Sequence, residues 1–322
     1  MAAPKLQNPV LYLFPVLGAF LLMGCGADWP DPAPLADLDA DHETWRQSRR
    51  DGLVRVPAGT VLWTGLWELA EGANTLGSDS TLTIVLPQHH APPFAGTLTR
   101  TGLDVWFEPA ADAEWHLREG EAVTEPMTVR SDRADSTTTL MLGSMGARVH
   151  EERGSDRRWL RTWDEASPLV EDFELPEFYP VDPVWRVTAR YDPFPEPRVV
   201  PLADVTGGTV EDAAPGELVF RIGGKERRLL AFANEGSRDF FVMLWDSTAV
   251  RDTYQGGRYI HVPFPELEGW SQDQQAWTTI DFNRTYSPPC VFSDFSVCGF
   301  PPRENRLPLW LSAGEKRPDK LP

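Results

Sequence analysis

Residues 185–191 read WRVTARY and residues 218–224 read LVFRIGG. In the first stretch Trp185, Val187, Ala189 and Tyr191 alternate with Arg186, Thr188 and Arg190. In the second, Leu218, Phe220 and Ile222 run into Gly223-Gly224. A period of two puts one set of side chains on a buried face and the other toward solvent. A Gly-Gly pair supplies the turn of a hairpin, so both stretches are predicted to be half-buried antiparallel strands. Working outward, residues 103–107, 137–142, 157–163 and 239–245 have strand length and β-forming composition, and no long amphipathic helix pattern intervenes. The chain is therefore predicted to be mainly β, with two antiparallel β domains.

Composition bounds what such a chain can do. It has 322 residues, 41% of them hydrophobic, enough for two domains that each bury a core. A formal net charge of −18 argues against a nucleic-acid partner, because phosphate binding needs a basic face. The simplest role for this acidity is to solvate an exported surface.

Residues 1–24 read as a targeting segment. Lys5 marks a weakly basic start, an apolar run follows from Val10 to Met23, and Leu22-Met23-Gly24-Cys25 closes it with a small residue before Cys. The pattern resembles a bacterial lipoprotein signal. The resemblance implies cleavage before Cys25, lipidation of its thiol, a palmitate-type acyl anchor, and a place in the cell envelope, on the outer membrane facing the periplasm in a Gram-negative host. Residues 25–41, with three prolines and five aspartates between Ala27 and Asp41, read as an extended tether. A short helix is predicted over 42–50, with Trp45 inward and Gly52 ending it.

The helix and a first β domain are assigned to 42–167, a Pro- and acid-rich linker to 168–183, and a second β domain to 184–322, as a sandwich or barrel. Within the first, Leu69 to Ser78, Thr83 to Leu86, Gly96 to Leu98 and Val105 to Phe107 resemble the strand-turn-strand core of a forkhead-associated sandwich. That family grips phosphothreonine with an Arg after the first-turn Gly and a Ser-x-x-His pair. Here Ser78 stands in place of the Arg and His89-His90 lies in a stretch without Ser-x-x-His, so the resemblance implies the fold without the phosphopeptide function. The tandem histidines sit in a Pro-rich turn, where exposure is the simpler reading than metal ligation.

Residues 254–316 carry a denser pattern: YQGGRYIHVPFPE from Tyr254, TTIDFNRTYSPPC ending at Cys290, and CGFPPRENRLPLWLSAGEK from Cys298. It resembles the family known as domain of unknown function 1684, in which GRY, DFN-x-x-Y-x-P-P-C, ENRLP and AGEK segments recur. The resemblance names no reaction. Cys290 and Cys298, with seven residues between them in an exported chain, read as a disulfide closing a small loop. Zinc is the weaker alternative, without a second C-x-x-C or a His at ligand spacing; His261 reads as a strand residue. Arg258, Tyr259, Asp281, Asn283, Arg284, Tyr286, Glu304, Asn305 and Arg306 are the candidate ligand-binding set. Arg offers a planar fork for carboxylate or phosphate, Asn offers donor and acceptor, and Asp281 or Glu304 could act as a base or orient the arginines. On the ligand reading Arg258, Asp281, Asn283 and Glu304 would surround one partly exposed cleft. On the other, the same groups brace a proline-rich loop.

Hydrolase, phosphate-loop and dinucleotide templates are missing, and no residue pattern requires a cofactor or a metal. Thirteen Trp and sixteen Phe invite a sugar-stacking role, although two β cores consume most such rings. Two classes of function remain: a membrane-anchored binding or structural module with an unassigned envelope ligand, or an envelope hydrolase with a carboxylate and arginine site in the second domain.

Overall fold

A computed structural model describes residues 29–32, 34–57, 59–152, 155–233 and 236–318. The signal and the candidate lipidation site Cys25 lie outside the described residues. Helix α1 spans Leu38–Leu53, longer at both ends than the sequence pattern predicts. At its start the cause lies in the aspartates assigned to the tether. Asp37 caps the helix by accepting from Ala40 N at 3.0 Å, and Asp39 and Asp41 sit in its first turn, where the positive end of the helix dipole favours them. Among the described residues no helix is long and apolar enough to cross a membrane.

Ten strands follow: β1 (Trp63–Glu68), β2 (Gly72–Gly77), β3 (Ile84–Val85), β4 (Gly96–Thr101), β5 (Asp104–Pro109), β6 (Trp115–Leu117), β7 (Met127–Thr128), β8 (Leu140–Leu142), β9 (Met145–Glu151) and β10 (Arg158–Asp164). They form two five-stranded sheets, β3-β2-β4-β5-β7 and β1-β10-β9-β8-β6. Leu76, Ile84, Leu98 and Phe107 from the first sheet pack against Leu140, Met145, Val149 and Leu160 from the second in one core. This is the expected first sandwich, with β2 to β5 covering the strands that carry the forkhead-associated resemblance.

The segment after β10 makes one helical turn, α2 (Leu169–Asp172), and then packs. Phe173 is buried with Trp163 of β10, Leu53 and Val54 at the end of α1, and Val291 and Phe292. The second half comprises β11 (Arg186–Ala203), β12 (Thr209–Ile222), β13 (Lys225–Ala231), β14 (Asp239–Asp246), β15 (Arg258–Pro263), β16 (Ala276–Asp281) and β17 (Arg306–Leu307). The alternating residues quoted from the sequence do pair, Ala189 with Phe220 and Tyr191 with Leu218, and Gly223-Gly224 joins β12 to β13. A sheet β13-β12-β11-β16 and a sheet β15-β14-β17 share a core of Tyr191, Phe220, Phe240, Val242, Ile260 and Phe282. Among the described residues these sheets do not close into a barrel.

Asn305 marks where the second half opens. Phe232 and Phe241 pair across β13 and β14, but one step on the two strands diverge and the carboxamide of Asn305 enters between them. Its Oδ1 accepts from Leu230 N at 2.6 Å, and its Nδ2 donates to Leu230 O at 3.0 Å and to Met243 O at 2.8 Å. Asn305→Ala strands these three buried backbone groups and is expected to lower unfolding stability by about 3 kcal/mol, read from urea melts at unchanged m value.

Candidate functional site

The sequence candidates separate into three places. Arg258 is completely buried. Its Nη2 donates to Asp246 Oδ2 at 2.8 Å and to Leu311 O at 3.2 Å, and its Nη1 donates to the carbonyl oxygens of Ala313 and Glu315. Tyr259, also buried, donates its hydroxyl to Gly299 O at 2.7 Å. Glu304 lies on the surface against Arg198, and Arg306 carries its guanidinium over the Trp245 ring at 5.9 Å. Arg258 and Glu304 therefore do not join Asp281 and Asn283 on one cleft. The charge on Arg258 is balanced by Asp246 and its donors are spent on the carbonyls of 311–315, while Glu304 faces water.

The second place is a clamp. Asn283 accepts from Asp182 N at 3.1 Å and donates to Asp182 O at 3.0 Å, fixing the entry to β11 onto the end of β16. Asp281 caps the turn that holds Asn283, accepting from its backbone N at 3.1 Å and its Nδ2 at 2.9 Å. The other oxygen of Asp281 lies 3.0 Å from Nε2 of His42, which is 1% exposed on α1. Burial pushes the Asp281 carboxyl up, but the hydrogen bonds from His42 and Asn283 and the charge of Arg284 outweigh it and hold the group below the usual carboxylate range.

The third place is open to solvent. A pocket of about 360 Å³ has α1 on one side and the edges of β15 and β16 on the other, with Trp45, Arg186, His261, Thr279, Arg284 and Tyr286 in its wall and Leu35 at its rim. Leu35 thus joins the folded body, although it falls in the stretch read as a tether. His261 Nδ1 lies 2.9 Å from Asp239 Oδ1, and its ring runs parallel to Tyr286 with centroids 6.0 Å apart. Arg49 stands over the Tyr286 ring at 4.5 Å. Burial raises the Tyr286 phenol well above its ordinary value despite the opposing Arg49 charge, so it stays protonated and can donate. Arg284 pairs with Asp41 and lies 3.7 Å from Asp281. Asp41, His42 and Asp281 bring three possible ligand atoms within 4.8 Å of one another, but the guanidinium bonded among them already neutralises the carboxylates a cation would need.

The expected disulfide is not formed. Cys290 and Cys298 are free thiols, and the sulfur of Cys298 instead accepts from the Cys290 backbone N at 3.0 Å. Ser296 Oγ lies 3.7 Å from the same sulfur. The hydrogen bond from the Cys290 thiol lowers the pKa of Cys298, offsetting its burial. Sequence reasoning also missed Trp45, Arg186 and Thr279 as neighbours of the candidate residues, and set His261 aside. The one available signal was alternation: Arg186 opens the outward-facing set of the quoted strand, and β11 pairs it with Asp281.

Residues 171–316 match the family model described as "Protein of unknown function (DUF1684)". The solution structure of an uncharacterized protein from Haloarcula marismortui is 32% identical over 47% of this chain and 80% of that one, with a TM-score of 0.38. Mycobacterium tuberculosis EmbR in complex with a low-affinity phosphopeptide is 11% identical over 40% of this chain and 32% of its own, with a TM-score of 0.21. No curated protein matches the chain.

Two outcomes separate brace from surface. Arg258→Met leaves Asp246 buried without its partner and is expected to cost about 3–5 kcal/mol. Glu304→Ala, at an exposed pair, should move stability by less than about 1 kcal/mol; both are read from chemical melts. Because the folded carboxyl of Asp281 is more acidic than its unfolded value of about 4, its contribution is present above that pH and lost as pH falls through the folded value. Asp281→Asn should therefore be less stable than wild type near neutrality, with the difference shrinking toward acid in melts taken across that range.

Proposed function

This chain belongs to the uncharacterised family DUF1684, and from that premise we propose that it is a lipid-anchored module of the cell envelope that binds a small polyhydroxylated ligand, of the saccharide class, in the pocket beside α1. The lipobox ending at Cys25 and the proline-rich stretch after it support the anchor. The net charge of −18 argues against nucleic acid as the partner.

The pocket itself carries the reading. Its wall holds the rings of Trp45, Tyr286 and His261 beside the hydrogen-bonding groups of Arg186, Thr279 and Arg284. Rings that cover the apolar face of a sugar, with polar groups placed for its hydroxyls, are the usual make-up of a small-ligand site. Asp281 in the wall and Arg49 behind it are already engaged, Asp281 by His42 and Asn283 and Arg49 by Glu315 and Ser287. The wall is thus held before any ligand arrives, which lowers the ordering cost of binding.

A hydrolytic role, the second reading, would fall to His261. Its bond to Asp239 leaves Nε2 free to accept a proton from water, the arrangement of a general base. His42, which pairs with Asp281, is too deeply buried to meet a substrate.

Titration of the full chain with N-acetylglucosamine, N-acetylmuramic acid and their β-1,4-linked disaccharide, followed by calorimetry, tests the binding reading. At least one probe should saturate, and Tyr286→Phe and Thr279→Val should each weaken it about tenfold at unchanged Tm, the loss of one good hydrogen bond. No saturable binding by wild type would remove the saccharide reading. In parallel, Cys25→Ser should leave an unprocessed precursor; normal processing of that variant would remove the anchor.

A further inference from the structure

Outside this pocket, the first sandwich brings together three metal-ligating side chains that nothing in the binding reading uses. After β3 the carbonyl of Pro87 accepts from His90 N at 2.9 Å and from Ala91 N at 3.2 Å, closing a turn that sets the rings of His89 and His90 with centroids 4.0 Å apart. Asp164, the last residue of β10, faces them from the other sheet. One nitrogen or oxygen from each of the three lies within 4.8 Å of the others.

The sequence reading has both histidines exposed, and for His90 this is corrected: its side chain is 7% exposed and that of Asp164 is 18% exposed. His90 Nε2 has no contact with solvent and no hydrogen-bond partner. A buried polar nitrogen without a partner is costly and calls for an explanation. The nearest candidate, Asp164 Oδ2, is 3.6 Å away, too far for an N–H···O bond. It is close to the separation of two ligands on a single tetrahedral ion, about 3.4 Å for bonds near 2.1 Å. The other oxygen of Asp164 accepts from Ala166 N at 3.0 Å, which orients the carboxylate as an outer-shell bond does in metal sites.

We propose that His89, His90 and Asp164 form a site for one divalent late transition ion, zinc foremost, with the fourth position open to water. Two imidazoles and a carboxylate without thiolate suit Zn²⁺ and its neighbours rather than Ca²⁺ or Mg²⁺, which take oxygen ligands. His89 is exposed and provides the entry path. The ion would tie the loop after β3, in one sheet, to the end of β10 in the other, cross-linking the sandwich near the buried Trp163.

The test uses the full, untagged chain, stripped with chelator and titrated with Zn²⁺ by calorimetry and with Co²⁺ by visible absorption. Wild type should take up one ion per chain, gain the absorption of a low-symmetry cobalt site, and melt at a higher Tm with Zn²⁺ than without. Asp164→Asn, which keeps the Oδ1 acceptor, and His89→Ala, at an exposed position, should each lower Zn²⁺ affinity at least tenfold and abolish the Tm gain, with metal-free melts showing both variants folded. His42→Ala should leave uptake unchanged. Failure of wild type to bind zinc at unit stoichiometry overturns the proposal. So does uptake that survives both Asp164→Asn and His89→Ala, or that is lost on His42→Ala alone.

Discussion

A guanidinium without access to water organises the second half. From Leu311 to Glu315 the chain crosses the core with almost no strand pairing of its own, and its carbonyl groups need donors from elsewhere. Arg258 supplies them, donating to the carbonyls of Leu311, Ala313 and Glu315 while Asp246 balances its charge. Asp246 in turn uses its other oxygen to accept from Thr248 N at 2.9 Å, ending β14 in a tight turn. One side chain therefore ties two strands to the end of the chain. A hydrophobic residue of the same size could fill the volume but could not pair the carbonyls, so the cost of burying this charge is offset by satisfying backbone that would otherwise be stranded.

The same logic runs through the signature segments. Glu315, fully buried, accepts from Ser287 N at 3.1 Å and from Arg49 Nε at 3.2 Å, so the last segment also fastens α1. Gly314 has φ +75°, and a side chain there would meet Thr285 Oγ1 at 2.1 Å. Gly257 has φ +97° and packs its α-carbon against Pro301 and the carbonyl of Leu244, where a Cβ would sit 2.6 Å and 2.7 Å from them. These glycines permit close approach as well as an unusual backbone angle. GRY, DFN, ENRLP and AGEK each place a polar group between backbone segments that lack a ladder. Their rarity and spacing thus reflect how the second half is closed, while the exposed chemistry beside α1 comes in part from residues outside those segments.

How far the sequence was legible follows from this division. Period-two alternation reports which face a strand buries, and Val187 to Tyr191 and Leu218 to Ile222 form strands as read, although Trp185 falls in a short turn before β11 and Thr188 and Val219, read as outward, are buried by the layers packed on that side. Aspartates before a helix look the same in a tether and in a cap, and only the docking of α1 on Asp281 and Glu315 distinguishes them. Arg258 and Glu304 were equally polar in the sequence, yet one is sealed in the core and the other lies in water. Partners decide this, and they come from far along the chain: Asp246 for Arg258, Arg198 for Glu304, His42 for Asp281. The cysteine pair misled for a similar reason. Short spacing permits a disulfide, but the turn presents the Cys298 sulfur to a backbone N–H.

The polar groups with the most partners are the least available for function, which inverts the ranking that residue type alone suggests. Arg258, Asn283 and Asn305 are held on several sides by backbone. Their bonding capacity is spent on the fold, and a ligand could reach them only by breaking it. His261, half exposed, makes one bond to a surface aspartate, and the Tyr286 phenol is kept protonated by its surroundings. Rigid groups behind and less fully engaged groups in front are what a binding wall requires, since preorganisation limits the entropy lost on association. The buried network is thus the support for whatever meets the pocket, and the functional chemistry of this half belongs to the residues that the network positions.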